Sequence, residues 1–345
     1  MVHHNTQEKG DWAISVGTPK EKTMNVKINA CIFTLSSRTK CLKLCLESLY
    51  KYYNNKFNYP VYVYYFDDIY SEDQIGDIHK TIGTNIHFHQ LDYGIPYHIE
   101  EDQLFPNRQN KYARTFSKNR MGYLHVSSFF VNSYYYPGTH LNKYDYCFHF
   151  DDETLFTKDV TEDFFQTLRN KNRLIGSLNT SYYPETGAKQ RVLDTTENLF
   201  EFCNYYIEKY TIQKQETRAF KALLNKDNFY KDYFLVTDSQ VYDTKFFQQY
   251  EWMRWITEIN IHGGIYAHRW GDHELNGLFH AIHSDEEYLS ICNINRNDVG
   301  APVPNSLGIE CSALRHIQSI APGVKNNDRR FSKDQSNFLF HDKTK

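Results

Sequence analysis

Three consecutive carboxylates follow an apolar β-type run in the middle of the chain. Residues 144–150 (YDYCFHF) lead directly into Asp151, Asp152 and Glu153. If the strand continued, alternation would point Asp151 and Glu153 to one side and Asp152 to the other. Two converging carboxylates repel each other unless a cation neutralises them, and oxygen ligands suit Mn²⁺ or Mg²⁺. The pattern predicts a metal site at Asp151 and Glu153, although such triplets also occur as solvated turns.

A second set of candidate ligands lies about 120 residues further along the chain. His273, Asn276, His280 and His283 are spaced by three, four and three residues. On an α-helix these offsets line up along one face, so one of the histidines, His273 or His280, is predicted to contact the metal or a diphosphate. The alternative is that these side chains pack against the sheet. Asp272 precedes them and suits a helix cap, with the helix dipole aimed at a phosphate.

The first third of the chain alternates between β-type and helical patterns. β-type runs cover 27–34, 61–66 and 86–91, and helical spacing covers 39–53 and 72–82. This order predicts an α/β fold with a Rossmann-like, mixed and mostly parallel sheet flanked by helices. Ligands of such sheets bind at the carboxyl ends of the strands, so the turns that follow the first two strands are candidate binding sites.

The rest of the chain continues the same pattern, without an internal repeat or a clean linker. Further predicted elements are a helix around 116–133, strands at 174–178 and 233–237, helices at 194–209 and 244–259, and a helix that begins near Gly271. We expect a flexible lead over 1–25, one domain over 26–320 and a tail over 321–345.

Composition excludes several classes of protein. There are 39 Lys and Arg against 42 Asp and Glu, without a basic stripe of the kind that nucleic-acid binders use. Seven cysteines without a CxxC pair argue against a zinc site or a disulfide framework. No apolar run reaches the roughly 20 residues of a membrane-spanning helix. These features predict a soluble cytoplasmic protein, with a trimmed Golgi-type anchor as the alternative.

Three ordered segments resemble the fungal α-1,2-mannosyltransferases (glycosyltransferase family 15). The segment NNKFNYPVYVYYFDD resembles the family's Lys-Phe-x-Tyr-Pro strand, and the stretch from KNRMGYLH to FDDETLF resembles the helix and strand that end in its Glu-Pro-Asp metal motif. The segment GGIYAHRWGDHELNGLFHAI is similar to the family's Arg-Trp-Gly-Asp region. The resemblance covers residues 26–295. It implies a catalytic domain of the GT-A type, GDP-mannose as donor, Mn²⁺ or Mg²⁺ as cofactor, and a glycan acceptor.

Three departures from the family pattern bear on mechanism. The family's Glu-Pro-Asp metal motif is replaced by Asp151-Asp152-Glu153, which keeps an acidic residue at the first and third positions. Asn276 stands where the family has its metal-binding histidine. Gln240 stands where the family has its proposed catalytic glutamate. Because Gln cannot act as a nucleophile, retention of configuration is expected to proceed by front-face attack. Asp238 is the nearest carboxylate if a nucleophile is required.

The resemblance also suggests residues that contact the donor. The candidate catalytic residues are Gln240, Asp238 and Asp272. The candidate donor-binding residues are Thr34, Ser36, Arg38, Asp67, Arg120, Tyr123 and Arg269. Two alternatives remain open at this level: the same fold with a different nucleotide-sugar donor, or a degenerate carbohydrate-binding protein that has lost catalysis.

Overall fold

The computed structural model places the larger part of the chain. It describes residues 28–66, 68–92, 95–104, 121–177, 180–181, 197–212, 234–235, 239–283, 289–290, 309–310 and 314–322. Three candidate residues, Asp67, Arg120 and Asp238, lie outside these ranges, as do the expected lead 1–25 and most of the expected tail. The domain boundaries therefore stay a prediction.

A seven-stranded sheet forms the centre of the molecule. Its strands, with those of two small two-stranded sheets, are β1 Ala30–Ser36, β2 Val61–Phe66, β3 Ile86–Leu91, β4 Tyr146–Phe150, β5 Leu155–Phe156, β6 Ile175–Ser177, β7 Thr180–Ser181, β8 Phe234–Leu235, β9 Ser239–Asp243, β10 Leu289–Ser290 and β11 Ile309–Glu310. The order in the main sheet is β10-β6-β9-β4-β1-β2-β3. β9 runs antiparallel to both β4 and β6, and the other neighbouring pairs are parallel. The expected mixed, mostly parallel sheet is confirmed.

Helices flank this sheet. They are α1 Thr39–Leu49, α2 Asn55–Phe57, α3 Glu72–Thr81, α4 Met121–Asn132, α5 Phe164–Asn170, α6 Leu199–Lys209, α7 Lys245–Gln248, α8 Tyr250–His262, α9 Gly264–His268, α10 Asp272–His283 and α11 Leu314–Ile320. A π-helix over Tyr50–Asn54 joins α1 to α2. None of the helices that the structure describes has the length and hydrophobicity to cross a membrane.

Both faces of the sheet are buried. Neighbouring β1 residues Ile32 and Phe33 belong to two different apolar clusters, one on each face. Strand β2 divides in the same way, with Val63 on one face and Tyr64 on the other. A sheet covered on both faces needs strands that are apolar throughout, which is why these runs lack the polar alternation of half-exposed strands.

The strand prediction is accurate for β2 and β3 and inaccurate around β9. β1 extends to Ser36, two residues beyond the predicted end, so Thr34 lies within the strand. The predicted strand at 233–237 is represented by the two-residue β8, which pairs with β7 outside the main sheet. β9, with the sequence SQVYD, was not predicted, although it is fully buried between β4 and β6. Its burial reflects tertiary context, which a short and partly polar run does not reveal.

Candidate functional site

A small polar cavity lies at the carboxyl ends of β1 and β4. It has a volume of about 90 Å³ and is lined by Leu35, Ser37, Arg38, Tyr123, Val126, Phe130, Asp151, Asp152, Asp272 and His273. The lining comes from the ends of these two strands, from α4 and from the first turn of α10. Five residues singled out in the sequence meet here: Arg38, Tyr123, Asp151, Asp272 and His273.

Asp151 brings a carboxylate with a raised pKa into the cavity. Its side chain is 27% exposed, and its Oδ1 lies 3.3 Å from Nε2 of His149. Burial, followed by the negative charges of Glu153, Asp152 and Asp272, raises the pKa of Asp151 to about 7. Since like charges destabilise the ionised form, a cation bound between Asp151 and Asp272 would lower the electrostatic energy of the cavity.

Asp152 holds two turns together. Its Oδ2 accepts hydrogen bonds from the backbone N–H groups of Ser37 and Arg38, at 2.9 and 3.0 Å. Its Oδ1 accepts from Nε and Nη2 of Arg38, at 2.9 and 2.5 Å. The Cys45 thiol donates to its backbone carbonyl at 3.0 Å. Asp152 therefore fixes the turn after β1 against the turn after β4, and we call this arrangement the Asp152 clamp.

The clamp changes the expected roles of Glu153 and Arg38. Oε2 of Glu153 lies 2.6 Å from Nη1 of Arg38, and Glu153 does not line the cavity. The strand ends at Phe150, and the N–H of Thr154 donates to the carbonyl of Asp151 at 2.9 Å, which closes a turn. Strand alternation therefore does not apply to the acidic triplet. The guanidinium of Arg38 binds these carboxylates, whereas the sequence suggested a contact with the donor.

The first turn of α10 supplies the second carboxylate of the cavity. The N–H of Leu275 donates to the carbonyl of Gly271 at 3.1 Å, so Asp272 is the first helical residue and not the cap. Asp272 and Glu274 place two negative charges where the helix dipole is positive, which leaves little attraction for a bare phosphate. Asn276 lies one turn beyond Asp272, and its buried Oδ1 has no hydrogen-bond partner among the described residues.

The other members of the helical series lie away from the cavity. His280 is buried, and its pKa is lowered to about 4 by burial and by the charge of Arg173. Nε2 of His283 lies 3.2 Å from the hydroxyl of Tyr206. The α-helical rise places His280 about 10 Å further along the axis than His273. Spacing along one face therefore does not bring all these side chains to one point, and only His273 lines the cavity.

Arg269 packs behind the cavity wall. Its backbone has φ 60° and ψ 35°, a left-handed conformation that is unusual for a residue with a side chain. Its guanidinium lies 4.8 Å from the ring centre of Tyr123, which lines the cavity. Burial and the charges of Glu274 and Asp272 raise the pKa of Tyr123. The neighbouring Trp270 is fully buried and donates to the carbonyl of Glu197 at 2.7 Å, so it is a core residue.

Three further candidates lie in the sheet and do not line the cavity. Gln240 is fully buried on β9, opposite His149 of β4, and its amide oxygen accepts from the hydroxyl of Tyr242. Thr34 is fully buried within β1. The hydroxyl of Ser36 lies 2.6 Å from the hydroxyl of Tyr70.

Several site residues were not predicted from the sequence. Val126 and Phe130 line the cavity with Tyr123, and their spacing of three and four residues on one helix face was an available signal. His149 precedes Asp151 by two residues, so strand alternation could have placed both on one side. The role of Asp152 had no such local signal, since its partners lie more than 100 residues away in the sequence.

The donor set of the cavity fits a hard divalent cation only in part. Among the described residues, no three His, Cys, Asp or Glu side chains are arranged to hold a metal ion. Asp151 and Asp272 nevertheless offer carboxylate oxygens, and Asn276 offers an unpaired amide oxygen. Mn²⁺ and Mg²⁺ prefer such oxygens and commonly take their remaining ligands from substrate phosphates and water.

Comparison with solved structures establishes the fold. The mannosyltransferase Ktr4p from S. cerevisiae in complex with GDP is similar to this chain with a TM-score of 0.60 and 21% identity, over 75% of this chain and 68% of that chain. The Mn/GDP form of Core-mannan synthase A from Aspergillus fumigatus has a TM-score of 0.63 and 15% identity, over 85% and 86% of the two chains. The expected GT-A fold is confirmed.

Sequence comparison gives the family. O-glycoside alpha-1,2-mannosyltransferase homolog 4 of Schizosaccharomyces pombe is 22% identical over 323 residues, covering 80% of this chain and 70% of that protein. The model of the glycolipid 2-alpha-mannosyltransferase family matches residues 2–292. This range contains the described cavity in full, and it confirms the resemblance seen in the sequence motifs and the expectation of a glycosyltransferase. The chain belongs to the glycolipid 2-alpha-mannosyltransferase family.

Proposed function

We propose that this protein transfers mannose from GDP-mannose to a glycan acceptor, with Mn²⁺ or Mg²⁺ as cofactor and with retention of configuration. The observation that carries the proposal is the convergence of Asp151 and Asp272 on one small cavity at the carboxyl edge of the sheet. The mannosyltransferase family of the chain and the GDP named for its structural relatives support the choice of donor.

Asp151 and Asp272 are the residues that would hold the cation, with the amide oxygen of Asn276 as a further ligand. When bound there, such a cation would neutralise the diphosphate and stabilise the charge that develops on it as it leaves. The protein's own contribution is to hold the two carboxylates in place. The Asp152 clamp does this from the β1 side, and the packing of Arg269 on Tyr123 does it from the α10 side.

Front-face attack is the mechanism that these side chains favour. Gln240 carries an amide and accepts a hydrogen bond from Tyr242, so it offers neither a nucleophile nor a base. In the proposed step, the acceptor hydroxyl oxygen bonds to the anomeric carbon on the face that the diphosphate leaves. The bond from the anomeric carbon to the phosphate oxygen breaks, and the hydroxyl proton passes to that phosphate oxygen.

The test is to measure binding and turnover with a panel of nucleotide sugars. We expect Mn²⁺-dependent binding of GDP and transfer from GDP-mannose, both lost in EDTA. Asp151→Asn should lower kcat/KM at least about a hundredfold, since a metal site contributes several kcal/mol to such a transition state. Asp159→Asn changes an exposed carboxylate outside the cavity and serves as the matched control.

The alternative outcomes separate the parts of the proposal. Preference for another nucleotide sugar would keep the cavity and the reaction type but refute mannose as the transferred sugar. Full activity of Asp151→Asn would refute the assignment of the cation to this cavity. Absence of transfer from every donor in the panel would refute the proposed activity itself.

A further inference from the structure

A separate polar groove lies at the end of α8, next to the corner that leads into α10. It has a volume of about 550 Å³ and is lined by His98, Ile99, Asp102, Gln103, His262, Ala267 and His268. One wall is the segment after β3, and the other is formed by the end of α8 and by α9. No residue of this lining belongs to the cavity that contains Asp151.

The α8–α9 wall of the groove presents stacked rings. The imidazole of His262 stacks on Trp270 with ring centres 4.7 Å apart, and His268 stacks on the same indole at 5.9 Å. Trp270 is fully buried and fixed by its hydrogen bond to Glu197. The wall is therefore a rigid surface, and sugar rings pack well against the flat faces of aromatic rings.

The opposite wall supplies exposed polar groups. His98 and Asp102 are exposed, and within the described residues neither side chain makes a hydrogen bond or an ion pair. Tyr97, next to His98, is 99% exposed. Neutral imidazole can donate at one nitrogen and accept at the other, while a carboxylate accepts two or more hydrogen bonds. This combination matches a ligand with many hydroxyl groups.

The groove offers neither an assembled metal site among the described residues nor a positive charge at His262 near pH 7. Three histidines and an aspartate line it, but no three such side chains among the described residues are arranged to hold a metal ion. Burial and the charge of His268 lower the pKa of His262, which keeps this imidazole neutral near pH 7. A phosphate would therefore gain little attraction from His262 and would be repelled by the carboxylate of Asp102.

The groove and the cavity share one structural corner. His268 at the end of α9 lines the groove, whereas Asp272 and His273 at the start of α10 line the cavity. Both helices pack on α4, which supplies Tyr123 to the cavity. The segment of the groove that follows β3 packs on this corner, since the side chain of Ile99 lies against Gly263. A chain of linked sugars could thus occupy the groove while its end approaches the cavity.

We propose that the groove lined by His98, Asp102, His262 and His268 binds the acceptor glycan. This inference rests on the proposed function, because it names the place where the acceptor of that reaction binds. The ligand is an uncharged oligosaccharide whose hydroxyl groups hydrogen-bond to His98 and Asp102 and whose ring faces pack on His262.

The experiment measures acceptor binding separately from turnover. The probe is α-1,2-mannobiose, and its Kd is obtained by saturation-transfer NMR on the full chain in the presence of GDP and Mn²⁺. The double variant His98→Ala/Asp102→Asn should weaken binding at least about tenfold, since it removes two or more hydrogen bonds to the sugar. It should raise the acceptor KM by a similar factor while the Kd for GDP stays unchanged. Asp159→Asn is the control for loss of a surface charge.

Each outcome decides one question. An unchanged mannobiose Kd in the double variant, with a normal melting curve, would overturn the groove proposal whatever the turnover. Mannobiose binding that depends on His98 and Asp102, in a chain that transfers no sugar, would support the groove and refute the proposed function. His262→Gln provides a second variant, and we expect weaker mannobiose binding from the loss of the ring face alone.

Discussion

Asp151 and Asp152 are adjacent in the chain, yet their surroundings give them different roles. The carboxylate of Asp152 is almost fully enclosed and accepts hydrogen bonds from Ser37 and Arg38. The carboxylate of Asp151 is partly exposed and faces Asp272 across the cavity. Arg38 balances the charge of Asp152, whereas the pKa of Asp151 is raised. We therefore expect Asp152 to matter for stability and Asp151 for activity.

Asp152→Ala tests this division of roles. The substitution leaves the Arg38 guanidinium buried without its main partner, and we expect the free energy of unfolding to fall by about 3–5 kcal/mol. Urea denaturation followed by circular dichroism measures the change. Lys43→Ala removes an exposed ion pair with Asp77 and should cost no more than about 1 kcal/mol. A loss of similar size in both variants would contradict the clamp.

The acidic triplet could be identified from the sequence, but not which of its residues line the cavity and which bind Arg38. Alternation along a strand predicted that Asp151 and Glu153 act together, and this interpretation assumed that the strand continued. The strand stops at Phe150, and the turn then brings Glu153 to Arg38. Where a strand ends depends on its partners, and those are set by the whole sheet. The sequence therefore predicts an acidic turn, but not the direction in which each of its side chains points.

The corner between α8 and α10 is built around two glycines. Gly263 has φ +72°, which favours glycine, and Gly264 lies directly against the ring of Trp270. A Cβ added at Gly264 would come within 2.2–2.4 Å of three ring atoms of Trp270. Close approach at this point allows the chain to turn from α9 into α10, which carries Asp272 to the cavity.

Gly264→Ala should disturb both the corner and the site. The clash with a fully buried indole is expected to lower the free energy of unfolding by about 1–3 kcal/mol. Because the corner positions Asp272, affinity for GDP with Mn²⁺ should fall as well; urea denaturation and calorimetry measure the two effects. Gly76→Ala is the matched control, since nothing lies within 4 Å of its added Cβ within helix α3. This control should be neutral or stabilising by about 0.5–1 kcal/mol.

A group of histidines at the edge strand β3 predicts a pH dependence of stability. The rings of His89 and His140 lie 4.4 Å apart, and the ring of Tyr62 packs against both. Burial lowers the pKa values of His89 and His140; the charges of His140, His87 and Lys143 add to the effect at His89, and those of Lys143 and His87 add to it at His140. The folded state therefore binds fewer protons than the unfolded state in mild acid, and stability should be lost as the pH falls below about 6.5.

His89→Gln isolates this effect. The variant should show a smaller loss of unfolding free energy than the unaltered chain when urea denaturation is repeated between pH 7 and pH 5. The difference in unfolding free energy between the two proteins should change only below about pH 6.5, because the side chain at position 89 is uncharged in both at pH 7. Parallel stability curves over the whole range would show that His89 is not responsible.

Prediction succeeded for elements with a strong local signal. The helix predicted over 72–82 is α3, and it begins with Ser71 and Gln74 in a reciprocal capping arrangement that its sequence encodes locally. β9 has no such signal, because SQVYD is short and its burial depends on β4 and β6. The sheet class could be predicted from the order of elements, whereas the antiparallel strand inside it could not.

At the scale of the whole molecule, the ligands of the site should act as stabilisers. A ligand that binds only the folded chain raises the free energy of unfolding by about 2.7 kcal/mol at a hundredfold excess over its Kd. We expect GDP with Mn²⁺ to raise the melting temperature and EDTA to reverse the rise. In Asp151→Asn the same mixture should give no rise. A rise that persists in this variant would mean that the nucleotide binds without the cation.

The position of β9 also affects the order in which the protein assembles. This strand lies between β4 and β6, so the facing edges of these two strands have no partner until a segment from the last third of the chain is made. β1, β2 and β3 pair with one another and need no later residues, and they can form early during synthesis. Contacts between distant segments form slowly because the intervening chain must first be ordered. A ribosome-bound chain that ends before β9 would therefore expose the unpaired edges of β4 and β6. We expect chaperones to be needed most at this stage of synthesis.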